Sequence, residues 1–164
     1  MGYTIEKMTD ADWDAVRAIY LEGIATRNAT FETESPSWDT WNNNHRPDCR
    51  LVARSNEKVL GWAVLSLVSR RPVYSGFAEV SVYVAADARG MGVGKALLGS
   101  LINASEKAGI WSLQAGLFKE NSASITLHKG VGFREIGFQE RTGSMDGVWR
   151  DVLLMERRSQ VVGG

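Results

Sequence analysis

An α/β fold around one mixed sheet is the class this sequence predicts, and three observations carry it. Several short segments alternate apolar with polar residues, and between them lie stretches whose apolar residues recur every three or four positions. The order of these segments is strand, helices, three antiparallel strands, helix, strand, helix and hairpin, which wraps helices around a single sheet. The length, 164 residues, is enough for one well-buried core and too little for two, so one domain spanning residues 1–164 is expected.

Each element follows from its own stretch. YTIEKM alternates as a strand does. Thr9 and Asp12 then stand at the spacing of a capping box, with Asp in the Glu place, and Trp13, Val16, Ile19, Tyr20 and Ile24 give the following helix one apolar face. The pattern dissolves in TRNATFETESPS, a loop, and DTWNNNH reads as a short second helix. RLVAR and KVLGWAVLSLV are two strands joined as a hairpin across Ser55, Asn56 and Glu57. The basic, proline-broken SRRPVYSG is a loop. FAEVSVYVA is a strand again, with Glu79, Ser81 and Tyr83 on one face and Val80, Val82 and Val84 on the other. From Val93 to Lys107, Leu97, Leu98, Leu101 and Ile102 mark a helix that Gly109 is placed to end. IWSLQAGLF is a strand, NSASITLHKG a short helix stopped by Gly130 and Gly132, and FREIGFQERTG with GVWRDVLLMERR a long hairpin about SMD.

Composition narrows the function. Nineteen Lys plus Arg balance nineteen Asp plus Glu, so no overall field draws the protein to nucleic acid or an anionic membrane, and a small molecule is the expected partner. The apolar runs fall short of the roughly 20 residues a bilayer requires and no signal pattern opens the chain, so a cytoplasmic protein is expected. One cysteine, Cys49, and two histidines, His45 and His128, argue against disulfides and a dedicated metal site.

The most informative stretch is VYVAADARGMGVGKALL, where Gly90, Gly92 and Gly94 alternate between a strand end and a helix start. The first amides of a helix lack partners and lie at the positive end of its dipole, and glycines let an anion approach them without meeting a Cβ. A phosphate or pyrophosphate is the expected occupant. Two nucleotide motifs are excluded: a Walker loop needs Gly at Arg89 and Ser or Thr at Ala96, and the dinucleotide fingerprint needs Gly at Lys95.

The remaining Arg-x-x-Gly-x-Gly pattern, Arg89 to Gly94, resembles the pyrophosphate-binding signature of the Gcn5-related N-acetyltransferases (GNAT), which hold acetyl-coenzyme A in this way. Glu120-Asn121, SASITLH and Gly132-Phe133 are similar to that family's later motif, and the likeness covers nearly the whole chain. ATFET, Arg71-Pro72, AEVSVYV, LHKGVGF and GVWRDV are together similar to the phosphinothricin, methionine sulfoximine and arsinothricin acetyltransferase group. The resemblance implies a mostly antiparallel sheet splayed between its fourth and fifth strands, with acetyl-CoA in the gap and no metal. It implies that Val82, Tyr83 and Val84 pair with the pantetheine arm, that Arg89, Gly90, Met91, Gly92, Val93, Gly94 and Lys95 hold the pyrophosphate, and that Asn121 lies near the thioester. Glu79 is the implied general base for the α-amine of an amino-acid-like acceptor, and His128 stands where relatives carry a Tyr that protonates the thiolate. An acid and a packed helix histidine both fit His128. Phe31, Tyr83 and Arg71 are the candidate substrate residues, with Arg70 an alternative to Arg71 for the acceptor carboxylate, and Trp149 a weaker candidate. The group also implies a homodimer. Two other readings are a protein or ribosomal N-terminal acetyltransferase and a non-catalytic acyl-CoA-binding module.

Overall fold

The alternating and helical stretches become seven strands and four α-helices among the described residues, 2–164 of a computed structural model. They are β1 (Thr4–Lys7), α1 (Trp13–Ala25), α2 (Trp38–Asn44), β2 (Leu51–Ser55), β3 (Lys58–Leu67), β4 (Phe77–Val84), α3 (Val93–Lys107), β5 (Ser112–Phe118), α4 (Ser122–Gly130), β6 (Arg134–Met145) and β7 (Val148–Arg158). One open sheet runs in the order β1-β2-β3-β4-β5-β7-β6. Every pairing is antiparallel except β4 with β5.

Helices cover both faces of the sheet. Successive strand residues point to opposite sides, and on β3 a Cβ at Gly61 would meet Leu97 of α3 while the next residue, Trp62, packs edge-on against Tyr20 of α1. The largest shared core lies between α3 and the sheet, where Leu97, Leu98 and Leu101 are fully buried with Ala63 and Leu65. Each such side chain stabilises by about 1.5–3 kcal/mol through burial alone. Val16, Ile19 and Ile24 of α1, with Trp38 stacked on Trp41 and Trp13 tilted against both, complete the other layer.

Local chemistry shifts three expected boundaries. The Thr9 amide donates to the Asp12 carboxylate at 2.9 Å, and this box opens a 3₁₀ turn, Asp10–Asp12, before α1 begins at Trp13. Asp12 also meets Arg54 of β2 at 2.8 Å, tying the helix start to the sheet. The last hairpin turns only at the final residue of SMD and the one after it. β6 continues through Met145, and the reversal is made by Asp146 and Gly147, both at positive φ (53° and 77°), the two-residue loop whose twist matches that of paired strands. β5 starts at Ser112, because Ile110 and Trp111 are still leading into the sheet from the helix end. No helix among the described residues is long and apolar enough to cross a membrane.

Candidate active site

The site begins where two strands part. β4 and β5 pair only at Phe77 with Ser112, Ala78 with Leu113 and Glu79 with Gln114. β4 stays paired with β3 as far as Val84, and β5 with β7 as far as Phe118. The edge of β4 from Val80 to Val84 that faces β5 therefore has no strand partner, and backbone polar groups left there need one. A cavity of about 1070 Å³ fills the opening, lined on one side by Val82, Tyr83 and Val84 and on the other by Gly116, Leu117 and Phe118.

The glycine loop closes one end of this cavity. Gly90 and Gly92 have φ of +80° and +78°, and Gly92 is the N-cap of α3. A Cβ at Gly90 would meet nothing within 4 Å and one at Gly92 only the Tyr3 hydroxyl at 3.9 Å, so both positions require glycine for its backbone, with open space above them. Gly94 has the other use: a Cβ there would stand 3.2 Å from Leu127, and its absence lets α3 approach α4 closely. No side chain caps α3, and its first helical bond among these residues runs from the Ala96 amide to the Gly92 carbonyl. The amides of Val93, Gly94 and Lys95 are left facing the cavity mouth, with exposed Arg89 and Lys95 beside them. Free amides at the positive end of a helix, beside open space, are suited to an anion such as a pyrophosphate. Met91 lies apart from the rest of the loop and lines a separate cleft with Tyr3 and Leu60.

Across the cavity, Asn121 is the N-cap of α4; its Oδ1 accepts from the Ser124 amide at 3.3 Å. His128, on the same helix, is 3% exposed, with its ring edge-on to Phe133. Its Nδ1 donates to the Ser124 carbonyl at 2.7 Å, and burial, only partly offset by that bond, holds its pKa below the usual imidazole value. A neutral ring whose proton is committed to a carbonyl is suited to fixing α4 against the cavity wall.

Glu79 occupies the last position at which β4 pairs with β5, half-buried, with Gln114 Nε2 donating to its Oε2 at 3.3 Å. It lines the first cavity and also a second, of about 620 Å³, that lies over the α1 face of the sheet. Thr30, Ser81 and Tyr83 are likewise common to both. Tyr83 stacks on its cross-strand neighbour Trp62 at 4.8 Å and meets Tyr20 edge-on at 5.1 Å, and burial, then the neighbouring Tyr20, drives its phenol pKa well above the ordinary value. Gly23 of α1 makes room for that ring: a Cβ there would fall 2.6 Å from Tyr83 Cε2. His45, in the wall of the second cavity, donates from Nδ1 to the Trp41 carbonyl at 2.7 Å, and burial lowers its pKa too.

The remaining candidates are scattered. Phe31 lines the first cavity from the α1–α2 loop, edge-on to Phe118 at 4.7 Å. Arg71 lines neither cavity; its guanidinium lies over Tyr74 at 5.6 Å. Arg70 lines a cleft that shares Asn44 and His45 with the second cavity. Trp149 is 59% exposed on the outer hairpin. The Cys49 thiol is pushed up to about 11 by burial, which leaves it unreactive. Among the described residues no group of three or more His, Cys, Asp or Glu side chains is placed to hold a metal ion.

Sequence reasoning passed over Gln114 and Arg150. Gln114 could have been found only from the β4–β5 register. Arg150 reaches Glu120 at 3.3 Å, the Arg27 carbonyl at 2.7 Å and Asn28 at 2.8 Å while lying over Phe118, and so pins the loop that carries Phe31. Its contacts with Arg27 and Asn28 are more than 120 positions away in sequence, beyond any local signal.

The comparisons with known proteins agree with this geometry. The acetyltransferase (GNAT) family model matches residues 10–133. A phosphinothricin N-acetyltransferase from Alcaligenes faecalis is 37% identical over 94% of this chain and 81% of its own. Among solved structures, a ribosomal-protein-alanine N-acetyltransferase from Brucella melitensis has a TM-score of 0.88 and 32% identity, covering 95% of this chain and 99% of its own. A phosphinothricin acetyltransferase from Sinorhizobium meliloti in complex with acetyl-CoA has a TM-score of 0.85 and 30% identity, covering 96% and 89%. The splayed strands, the glycine loop and these likenesses lead to one assignment: the chain belongs to the acetyltransferase (GNAT) family and is an acetyl-CoA-dependent N-acetyltransferase.

Proposed function

We propose that the acceptor is the α-amine of a small amino-acid analogue of the phosphinothricin or methionine sulfoximine type, and that Glu79 is the general base. One observation carries this reading: Glu79 lines both cavities at the point where strand pairing ends, so a group entering from the second cavity meets it beside the first. The residues present fit acetyl-CoA, since the unpaired β4 edge suits a pantetheine amide chain and the free α3 amides suit a pyrophosphate. When bound, acetyl-CoA supplies a thioester whose carbonyl carbon accepts the amine.

Glu79 takes a proton from the acceptor ammonium, directly or through water, while Gln114 holds its carboxylate in place. A backbone amide near Val82 meets the developing oxyanion, because the β4 edge there is free of strand partners. The leaving thiolate, of pKa near ~8 to 9, takes its proton from solvent; His128 keeps its own on Ser124 and acts by holding α4. Asn121, its Oδ1 engaged in capping, still has an amide to offer the cavity. The amine attacks in a ternary complex and no acyl-enzyme forms. The homodimer is part of the same proposal, with Phe138, Val148 and Trp149, each more than half exposed on the β6–β7 hairpin, as its apolar surface.

The ribosomal reading draws on the Brucella structure, but a protein substrate needs a groove open at both ends, and the Arg150-pinned loop sets Phe31 against Phe118 across the cavity. Release of coenzyme A thiol, measured with phosphinothricin, methionine sulfoximine, methionine sulfone, arsinothricin, common amino acids and Ala-initiated peptides, decides between them. Turnover confined to the small acceptors supports the proposal. Preferential turnover of peptides replaces it with the ribosomal reading, and no turnover with any of these acceptors overturns the proposed acceptor class.

A further inference from the structure

One carboxylate of β7 lies outside the chemistry of Glu79 and the anchor of Arg150. Asp151 alternates with Arg150 and Val152, so it points to the other face of the strand, away from the cavity that Val152 lines. Opposite it the pairing of β6 with β7 is broken. Gln139 faces Val152 and Gly143 faces Arg150, which leaves Glu140, Arg141 and Thr142 against Asp151 alone, a bulge of two extra residues. Asp151 Oδ1 accepts from the Arg141 amide at 2.8 Å, and Arg141 has a φ of +51°, a conformation that a residue with a side chain keeps only when its surroundings fix it. The second oxygen, Oδ2, pairs with Lys119 at 2.9 Å, one residue past Phe118 at the end of β5.

The bulge decides what faces Phe31. With unbroken pairing from Gln139 onward, Arg141 would stand opposite Arg150 on the cavity face, and its side chain would project where Phe31 packs. The two extra residues put Gly143 there instead, where a Cβ would come 3.1 Å from the Phe31 ring. The ring's other support is Phe118, edge-on at 4.7 Å, and Met145 and Val152 complete a small cluster apart from the main core. Asp151 therefore ties down both surfaces that seat Phe31: Gly143 through Arg141, and Phe118 through Lys119. Phe31 itself stands in the partition between the cavities, since it lines the first, Glu32 beside it lines the second, and Thr30 lines both.

We propose that Asp151 is a positioning residue for acceptor binding, acting through the β6 bulge to set the place of Phe31 where the two cavities meet. This rests on the reading that the acceptor amine reaches Glu79 at that junction. The carboxylate points away from acceptor and cofactor alike. Its loss lets the Arg141 backbone relax, Gly143 leave the ring and Phe31 shift.

The test combines steady-state kinetics, urea unfolding and coenzyme A calorimetry for Asp151→Ala, Asp151→Asn and Gly143→Ala, with whichever acceptor the wild type turns over fastest. Asp151→Ala should raise the acceptor KM by about ten- to a hundredfold, the cost of a misplaced positioning group, with kcat within about threefold and coenzyme A affinity unchanged. Asp151→Asn keeps an oxygen for the Arg141 amide and loses only the pairing with exposed Lys119, so it should recover most of that loss. Gly143→Ala should raise the same KM with Asp151 intact, because its Cβ displaces the ring directly. A lower unfolding midpoint in Asp151→Ala with the acceptor KM unmoved would overturn the inference and leave the proposed function standing. Should that variant fail to fold, an unmoved KM in Gly143→Ala would overturn it equally. A wild type that turns over peptides in place of amino acids replaces the proposed acceptor, and Asp151 is then judged on the peptide KM; one that turns over neither removes both.

Discussion

Gly23→Ala sets two magnitudes of opposite sign against each other. Replacing a helical glycine by alanine normally stabilises by up to about 1 kcal/mol, less near a helix end, and Gly23 is the third residue from the end of α1. The new Cβ, however, would stand 2.6 Å from Tyr83 Cε2 and 2.7 Å from Cδ2. Tyr83 cannot simply retreat, since Trp62 is stacked on it at 4.8 Å and Tyr20 abuts its edge at 5.1 Å. Overpacking of this kind costs about 1–3 kcal/mol, so the variant should lose a net ~1–2 kcal/mol and show a higher acceptor KM, because Tyr83 lines both cavities. Urea unfolding reads the first as a lower midpoint at unchanged slope. In a Tyr83→Leu background the same alanine should become neutral or stabilising, and this double-mutant cycle isolates the clash. A midpoint that rises in the otherwise native chain would mean that the ring moves freely and that the Gly23–Tyr83 contact positions nothing.

Gly92→Asp should abolish coenzyme A binding in calorimetry, because it places a side chain at φ +78° and a negative charge before the free α3 amides; unchanged affinity in a folded variant would remove the loop from the cofactor site. His128→Phe should leave turnover per folded molecule within about threefold, since solvent protonates the thiolate, and a kcat loss beyond tenfold without a stability change would make His128 the acid. The same variant should flatten stability against pH. The folded pKa of His128 lies below its unfolded value, so the unfolded chain binds more protons and stability falls as pH drops from about 7 to 5, a slope the variant loses in part while His45 retains its share. Arg150→Ala should destabilise by about 1–3 kcal/mol and raise the acceptor KM more than it lowers kcat, because the loop carrying Phe31 loses its anchor on Arg27 and Asn28.

Most of the fold was legible because its signals are local. The alternation of FAEVSVYVA placed Glu79, Ser81 and Tyr83 on one face, and all three line the second cavity. The glycine spacing located the α3 amides, yet it could not distinguish the work of each glycine: positive φ at Gly90 and Gly92, close helix approach at Gly94. The turn of the last hairpin was read two residues early because Ser144 and Met145 sit in a turn-rich stretch, whereas the backbone reversal needs two successive positive φ values, which Asp146-Gly147 supplies. What stayed hidden was relational. The Glu79–Gln114 contact depends on the β4–β5 register, the Arg150 anchor on folding the last hairpin against the loop after α1, and the bulge held by Asp151 on the β6–β7 register. Arg71 shows the converse: its residue type suits a carboxylate, but its place over Tyr74 keeps it out of both cavities of this chain.

Turnover of Glu79→Gln measures the central claim most directly, because the substitution keeps the shape and the hydrogen bond to Gln114 and removes only the base. An amino-acid ammonium near pKa ~9 to 10 is under about one per cent free amine at pH 7, and a positioned base is worth roughly 10²- to 10⁴-fold. With the preferred acceptor and saturating acetyl-CoA, kcat at pH 7 is expected to fall by such a factor while coenzyme A affinity stays the same, and the deficit should shrink as pH rises toward the amine pKa. Wild-type turnover at pH 7 in this variant would contradict the account and leave the junction of the two cavities without its base.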